Sequence, residues 1–282
     1  MKSKIFLLSA LAMLGFLGAC DQDDEDSSNG NNSGTDTLPL EETRAAQANA
    51  ETEFILADLD LITIDALTDA QVNFKQSAGL LNCATVSLDT TANPPFFLVN
   101  FGPTNCQGPD GRFRRGRLRI SFTGLYQNAG TVITVTPINY HVNDFAVSGQ
   151  RVTTNQGVNA NNNLSWDINS NLNYRHPSTG DTIFWNSQRN REFTQGAFTP
   201  TLNDNEWSIT GTASALSTAG FNWSATITQP LLLKNACNWI TEGVIDLQVG
   251  QLPLRTLDYG SGVCDNQATV SAGNRSRTII LR

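Results

Sequence analysis

The chain has 282 residues with 18 basic against 26 acidic side chains, two histidines and a formal charge of −8. So acidic a surface repels nucleic acid and anionic lipid headgroups, which removes both as general partners. The 14 arginines far outnumber the four lysines, a bias that composition alone does not explain.

Lys2 and Lys4 precede an apolar run over residues 5–19, interrupted only by Ser9 and Gly15. A charged start and a hydrophobic run of this length make an export leader, too short to span a bilayer comfortably. The run ends in Leu17-Gly18-Ala19-Cys20. These four residues resemble the lipobox of bacterial lipoproteins. The resemblance implies removal of residues 1–19, lipid on the sulfur of Cys20, and a bilayer as partner through that lipid. Five acids follow within residues 21–26. The run resembles the surface-export signal of Bacteroidota lipoproteins, whereas an acid beside the cysteine in enterobacterial lipoproteins resembles an inner-membrane retention signal. A solvated spacer is the plain alternative. The expected location is the outer membrane, lipid-anchored at the cell surface, with the periplasmic face as the other choice. Residues 20–38, almost without apolar side chains, read as a disordered tether that extends to about 60 Å.

From residue 39 to 282 the composition suits one domain. Ala45, Ala48, Thr52, Ile55, Leu59, Ile62 and Ala66 recur at spacings of three and four, which predicts an amphipathic helix over 41–70. Glu41 and Glu42 sit in its first turn, where the helix dipole favours acids. Beyond Gly79 the pattern turns to β. Strands are expected near residues 117–122, 132–135, 138–142, 145–152, 164–172, 183–185, 207–215, 221–227, 243–249 and 252–259, separated by Gly, Asn, Asp and Ser. Gly124, Gly149, Gly211 and Gly243 each lie near an apolar–polar pair, a faint repeat of hairpins. The predicted fold is mainly β, an antiparallel meander of hairpins curled around the N-terminal amphipathic helix. A closed barrel or a sandwich is the alternative.

With Cys20 assigned to lipid, Cys83, Cys106, Cys237 and Cys264 remain. An even number in an exported chain predicts disulfides. Sequence order favours Cys83–Cys106 and Cys237–Cys264, each worth about 3 kcal/mol in the chain-entropy picture. His141 and His176 stand alone in sequence and no CxxC occurs, so neither a metal site nor a cofactor is expected.

Three segments are candidate sites. Arg112, Arg114, Arg115, Arg117 and Arg119 could bind an acidic glycan or a phosphate, or simply wet one strand face. Asp258, Asp265 and Asn266 could hold Ca²⁺, or close a stapled hairpin. This C-terminal part also resembles that of uncharacterised Bacteroidota lipoproteins, which names no activity. Trp166, Trp185, Trp207, Trp223 and Trp239 could stack on sugars, or fill the core. Asp36-Thr37-Leu38, Asp89-Thr90-Thr91 and Asp181-Thr182-Ile183 resemble the short O-glycosylation motif of Bacteroidota.

No GxSxG, HExxH, P-loop or dinucleotide fingerprint is present, so no catalytic residue is named. The expected function is a non-enzymatic binding or structural module. Its partner would be a glycan or an envelope protein, with a glycan-hydrolysing surface protein as the alternative. A chaperone-like module would need an open apolar groove on the concave face of the sheet.

Overall fold

The computed structural model describes residues 37–70, 79–197, 199, 201 and 204–281. The leader, Cys20, the acidic run and nearly all of the tether lie outside them. The chain starts with a 3₁₀ turn, Leu40–Thr43, that runs straight into α1, Arg44–Ala70. The strands follow as β1 Thr85–Asp89, β2 Phe96–Asn100, β3 Cys106–Gln107, β4 Phe113–Phe122, β5 Val132–Val142 and β6 Phe145–Val158. Then come β7 Leu164–Arg175, β8 Thr182–Gln195, β9 Glu206–Ser217, β10 Asn222–Lys234 and β11 Ile240–Val249. Three shorter strands, β12 Arg255–Ser261, β13 Gln267–Ala272 and β14 Arg275–Ile280, complete the set.

All fourteen belong to one antiparallel sheet, each strand beside its sequence neighbour, except that β3 pairs with the start of β4. The sheet is open, with β1 and β14 at its two ends. A meander of this length must bury one whole face, and it does so by curling around α1. Inward residues alternate with wet ones along the long strands except at bulges, as in β7, where Trp166, Ile168, Leu172 and Tyr174 are buried and Asp167, Asn169 and Asn171 are exposed.

The helix occupies the predicted span, but its polar side is not wet. Glu51, Glu53, Asp58 and Asp65 are as buried as Ile55 and Leu59. The sheet surrounds the helix, so the stripe that periodicity assigns to solvent faces the sheet interior as well.

The predicted break within residues 136–137 is absent, since β5 runs unbroken through Pro137. Its pairing with β6 skips register between Val135 and Tyr140. The inward set correspondingly shifts from Ile133, Val135 and Pro137 to Tyr140 and Val142. A bulge tolerates the missing N–H of proline, which explains how Pro137 sits inside a sheet.

Of the repeated glycines, Gly124 lies in the turn after β4, while Gly149, Gly211 and Gly243 lie in mid-strand. Gly149 and Gly211 have φ of +105° and +124°. A Cβ on either would stand 2.2 Å from a backbone carbonyl oxygen of the neighbouring strand, that of Asn171 or Gln188. Only glycine permits this bend in β6 and β9.

Cys83 is bonded to Cys106 and Cys237 to Cys264, with Cα separations of 6.3 and 5.8 Å. The first ties the segment before β1 to β3, and the second ties the β10–β11 loop to the β12–β13 loop.

Gly211→Ala is expected to lose about 3 kcal/mol of stability in urea denaturation, from strain plus collision. Gly130→Ala, at φ +82° with open space around it, should lose about 1 kcal/mol.

Candidate functional site

The polar side of α1 is a pair of carboxylate rows. Glu51, Asp58 and Asp65 recur every seven residues and share one side of the helix, while Glu53 and Asp60 share another. Each row meets basic groups projecting from the inner face of the sheet.

Asp58 is completely buried and accepts at Oδ1 from Arg114 Nη2 at 2.6 Å, Arg114 Nε at 3.0 Å and Arg112 Nη1 at 3.3 Å. Its Oδ2 accepts from the Tyr140 hydroxyl at 2.5 Å. Burial, then the Asp58 charge, pushes that phenol well above its usual pKa, so it stays a donor. Arg114 Nη1 also reaches Asp110 Oδ1 at 2.9 Å. On the other row, Asp60 meets Arg151 Nη2 at 2.6 Å and Arg191 Nη1 at 2.9 Å, and Glu53 accepts from Arg189 Nη2 at 2.7 Å. Where the chain enters the domain, Glu42 is held by Arg255 and Arg275, each at 3.0 Å. Arg277 Nε donates to the Leu38 carbonyl at 2.5 Å.

The five candidate arginines therefore do not form one surface. Strand alternation turns Arg112 and Arg114 inward onto Asp58 and Asp110. Arg115 turns outward, bonded to Asp144 and Asn105. Arg117 is exposed, and Arg119 lies over the Phe96 ring at 4.1 Å. Asp258 and Asp265 accept backbone N–H groups from Gly260 at 2.8 Å and Gln267 at 3.0 Å. They shape the two ends of the β12–β13 connection. Among the described residues no three His, Cys, Asp or Glu side chains are grouped to hold a metal. His176 Nε2 lies 3.5 Å from Glu51 Oε1, and His141 Nδ1 lies 3.1 Å from the Asn139 carbonyl.

Four of the five tryptophans, Trp166, Trp185, Trp207 and Trp223, are buried inside the curl, so they offer no platform to a sugar. α1 fills most of the concave face; among the described residues the space left beside Ala57 and Leu61 is a cavity of about 300 Å³, too small for the groove a chaperone-like module would need.

The larger opening lies outside the curl. Five neighbouring strands carry two rows of outward side chains that run across the sheet. One row is Gln150, Asn171, Asn186, Ser214 and Ser224, and the other is Val152, Asn169, Gln188, Thr212 and Thr226. Between them runs a trough of about 700 Å³ whose lining contains no charged residue. Its length across β6 to β10 is about 19 Å, four strand spacings. Its five amide side chains make no hydrogen bond to other described protein groups. Phe184, 41% exposed, and Leu216, 52% exposed, face each other across β8 and β9, beside Asn186 and Ser214 in the middle of the first row. The bend at Gly149 and Gly211 lies within this region. Sequence reading missed the trough because outward polar residues are the ordinary wet face of a strand. Its signal is the lack of charge among them in so acidic a chain.

Asp58→Ala is expected to cost about 3–5 kcal/mol in urea denaturation, since it leaves two buried guanidinium groups to share Asp110 as counter-ion. Asp246→Asn, on the outer face, should stay within about 0.5 kcal/mol. Burial would raise the Asp110 carboxyl, but the Arg114 hydrogen bond and charge, then Arg112, outweigh it and hold the group below its usual value. A depressed carboxyl stabilises above its unfolded pKa of about 3.9 and loses that contribution as pH falls through the folded value. Asp110→Asn should therefore flatten the acid side of the stability profile below about pH 4. No protein-family model, no curated protein and no solved structure matches this chain.

Proposed function

We propose that this protein is a lipid-anchored envelope lipoprotein, non-enzymatic, that binds a neutral glycan on the outer face of β6–β10. The observation that carries the reading is the uncharged trough. A neutral polysaccharide offers hydroxyls that both donate and accept, which match amide and hydroxyl side chains. It has no charge for the acidic surface to repel, and its apolar sugar faces suit an exposed aromatic ring such as Phe184. An acidic glycan would meet no cation in the trough.

The anchored half of the proposal rests on the leader, Cys20 and the acidic run. The chain that leaves the tether is gripped at once: Leu38 is fully buried, and Arg255, Arg275 and Arg277 clamp residues 38–42. A domain loaded through its N-terminus needs such a grip. A tether of tens of ångströms would let the trough reach polysaccharide beyond the membrane surface.

Affinity electrophoresis in gels containing laminarin or dextran, both neutral, or alginate, a polyuronate, tests the binding. Retardation is expected with a neutral glucan and not with alginate. The variant Asn171→Ala/Asn186→Ala/Gln188→Ala should weaken it at least tenfold with an unchanged melting temperature. Retardation by alginate alone, or an unaffected triple variant, sinks the reading. For the anchor, Cys20→Ser should move the protein into the soluble fraction. Protease shaving of intact cells should remove the native protein but spare one whose 21–26 acids are alanine. Protection of both would move it to the periplasmic face.

A further inference from the structure

A second opening sits between α1 and the end of the curl. Most of α1 is sealed by the sheet, but one stripe, Ala50, Phe54, Ala57, Leu61 and Ile64, faces a cavity of about 300 Å³. Ala57 and Leu61 are only partly covered, in a helix otherwise almost wholly buried. Trp207, Leu233 and Trp239 form the facing wall. The volume stands at the lower end of small-molecule sites, and mostly apolar walls with a few polar groups are the usual make-up of such sites.

The polar groups at the walls specify the ligand further. Glu53, Asp60, Asp110, Arg112, Arg191 and Lys234 line the cavity, and each already has a counter-ion, at 2.7, 2.6, 2.5, 3.3, 2.9 and 3.7 Å respectively. A charged ligand would lose its hydration and find no free partner. Three donors are left over. The Trp239 indole N–H, the Arg191 Nε–H and the Tyr259 hydroxyl, all on lining residues, are buried without a hydrogen-bond partner. A buried donor without an acceptor costs free energy that an incoming acceptor oxygen would recover. The wall that carries Trp239 is braced, since Cys237, also on the lining, is bonded to Cys264. A braced wall loses little freedom when a ligand enters.

We propose that this cavity binds a small uncharged molecule with an apolar body and one acceptor oxygen, of the ketone, ester or ether class. The site is separate from the outer trough, and neither depends on the other.

The test is a fluorescence titration of the protein with prodan, a neutral naphthalene carrying a ketone. Saturable binding at one site per chain is expected, with a blue-shifted prodan emission and quenching of tryptophan. Ala57→Phe should weaken binding at least tenfold by filling the cavity. Ala57→Leu, a smaller filling, should weaken it less and keeps the test open if the larger variant does not fold. Trp239→Phe, which keeps a ring but removes the donor, should weaken it about fivefold. Anilinonaphthalene sulfonate, similar in size but anionic, should bind at least tenfold more weakly than prodan. The triple trough variant should bind prodan as the native protein does. No saturable binding, equal binding of the sulfonate, or folded Ala57 variants that bind unchanged would each overturn the proposal.

Discussion

The contact between the carboxylates of α1 and the arginines inside the sheet is the constraint on which the rest of this structure depends. An apolar helix inside a curled apolar sheet has no unique rotation or depth. Hydrophobic burial is non-directional, and a shift of one turn costs little. Asp58 on one side and Asp60 on the other remove that freedom, because each must meet particular guanidinium groups of β4, β6 and β8. Net stability from buried ion pairs is small, since desolvation offsets most of the attraction. What these pairs supply is a large penalty for every misaligned arrangement, in which a buried charge would stand alone.

The same contact accounts for the arginine bias. Arg112, Arg114, Arg151, Arg189, Arg191 and Arg255 are all buried. A planar guanidinium with five donors can satisfy a carboxylate and a second acceptor at once, as Arg114 does with Asp58 and Asp110 and Arg191 with Asp60 and Tyr126. A lysine ammonium is more strongly hydrated and lacks the fork. An interior built on buried pairs therefore selects arginine.

Filling the concave face has a functional consequence. In an open curled sheet the concavity would be the natural ligand groove. Here α1 occupies it, so recognition moves to the outer trough and to the gap beside Ala57 and Leu61. The two differ in kind: the trough is wet, polar and long, and the gap is largely apolar and small.

The order of helix and hairpins and the cysteine pairing were legible in the sequence. Both follow from local rules, periodicity of 3.6 or 2 and the shortness of the connections. Five short strands, β1, β2, β3, β13 and β14, were not among those expected, and longer ones failed to read where their inward residues are polar. In β8 only residues 183–185 stand out, because Ser187, Arg189 and Arg191 continue the inward row and cancel the alternation. The arginine run of β4 reads as a binding patch for the same reason, since alternation alone does not say which side is dry. Only the tertiary structure decided that both sides of α1 are enclosed. With that enclosure its acids become interior ligands for arginine, and uncharged amides are left gathered on the outside. A residue's periodic position is set by its own segment, but whether that position is wet or dry depends on strands more than a hundred residues away.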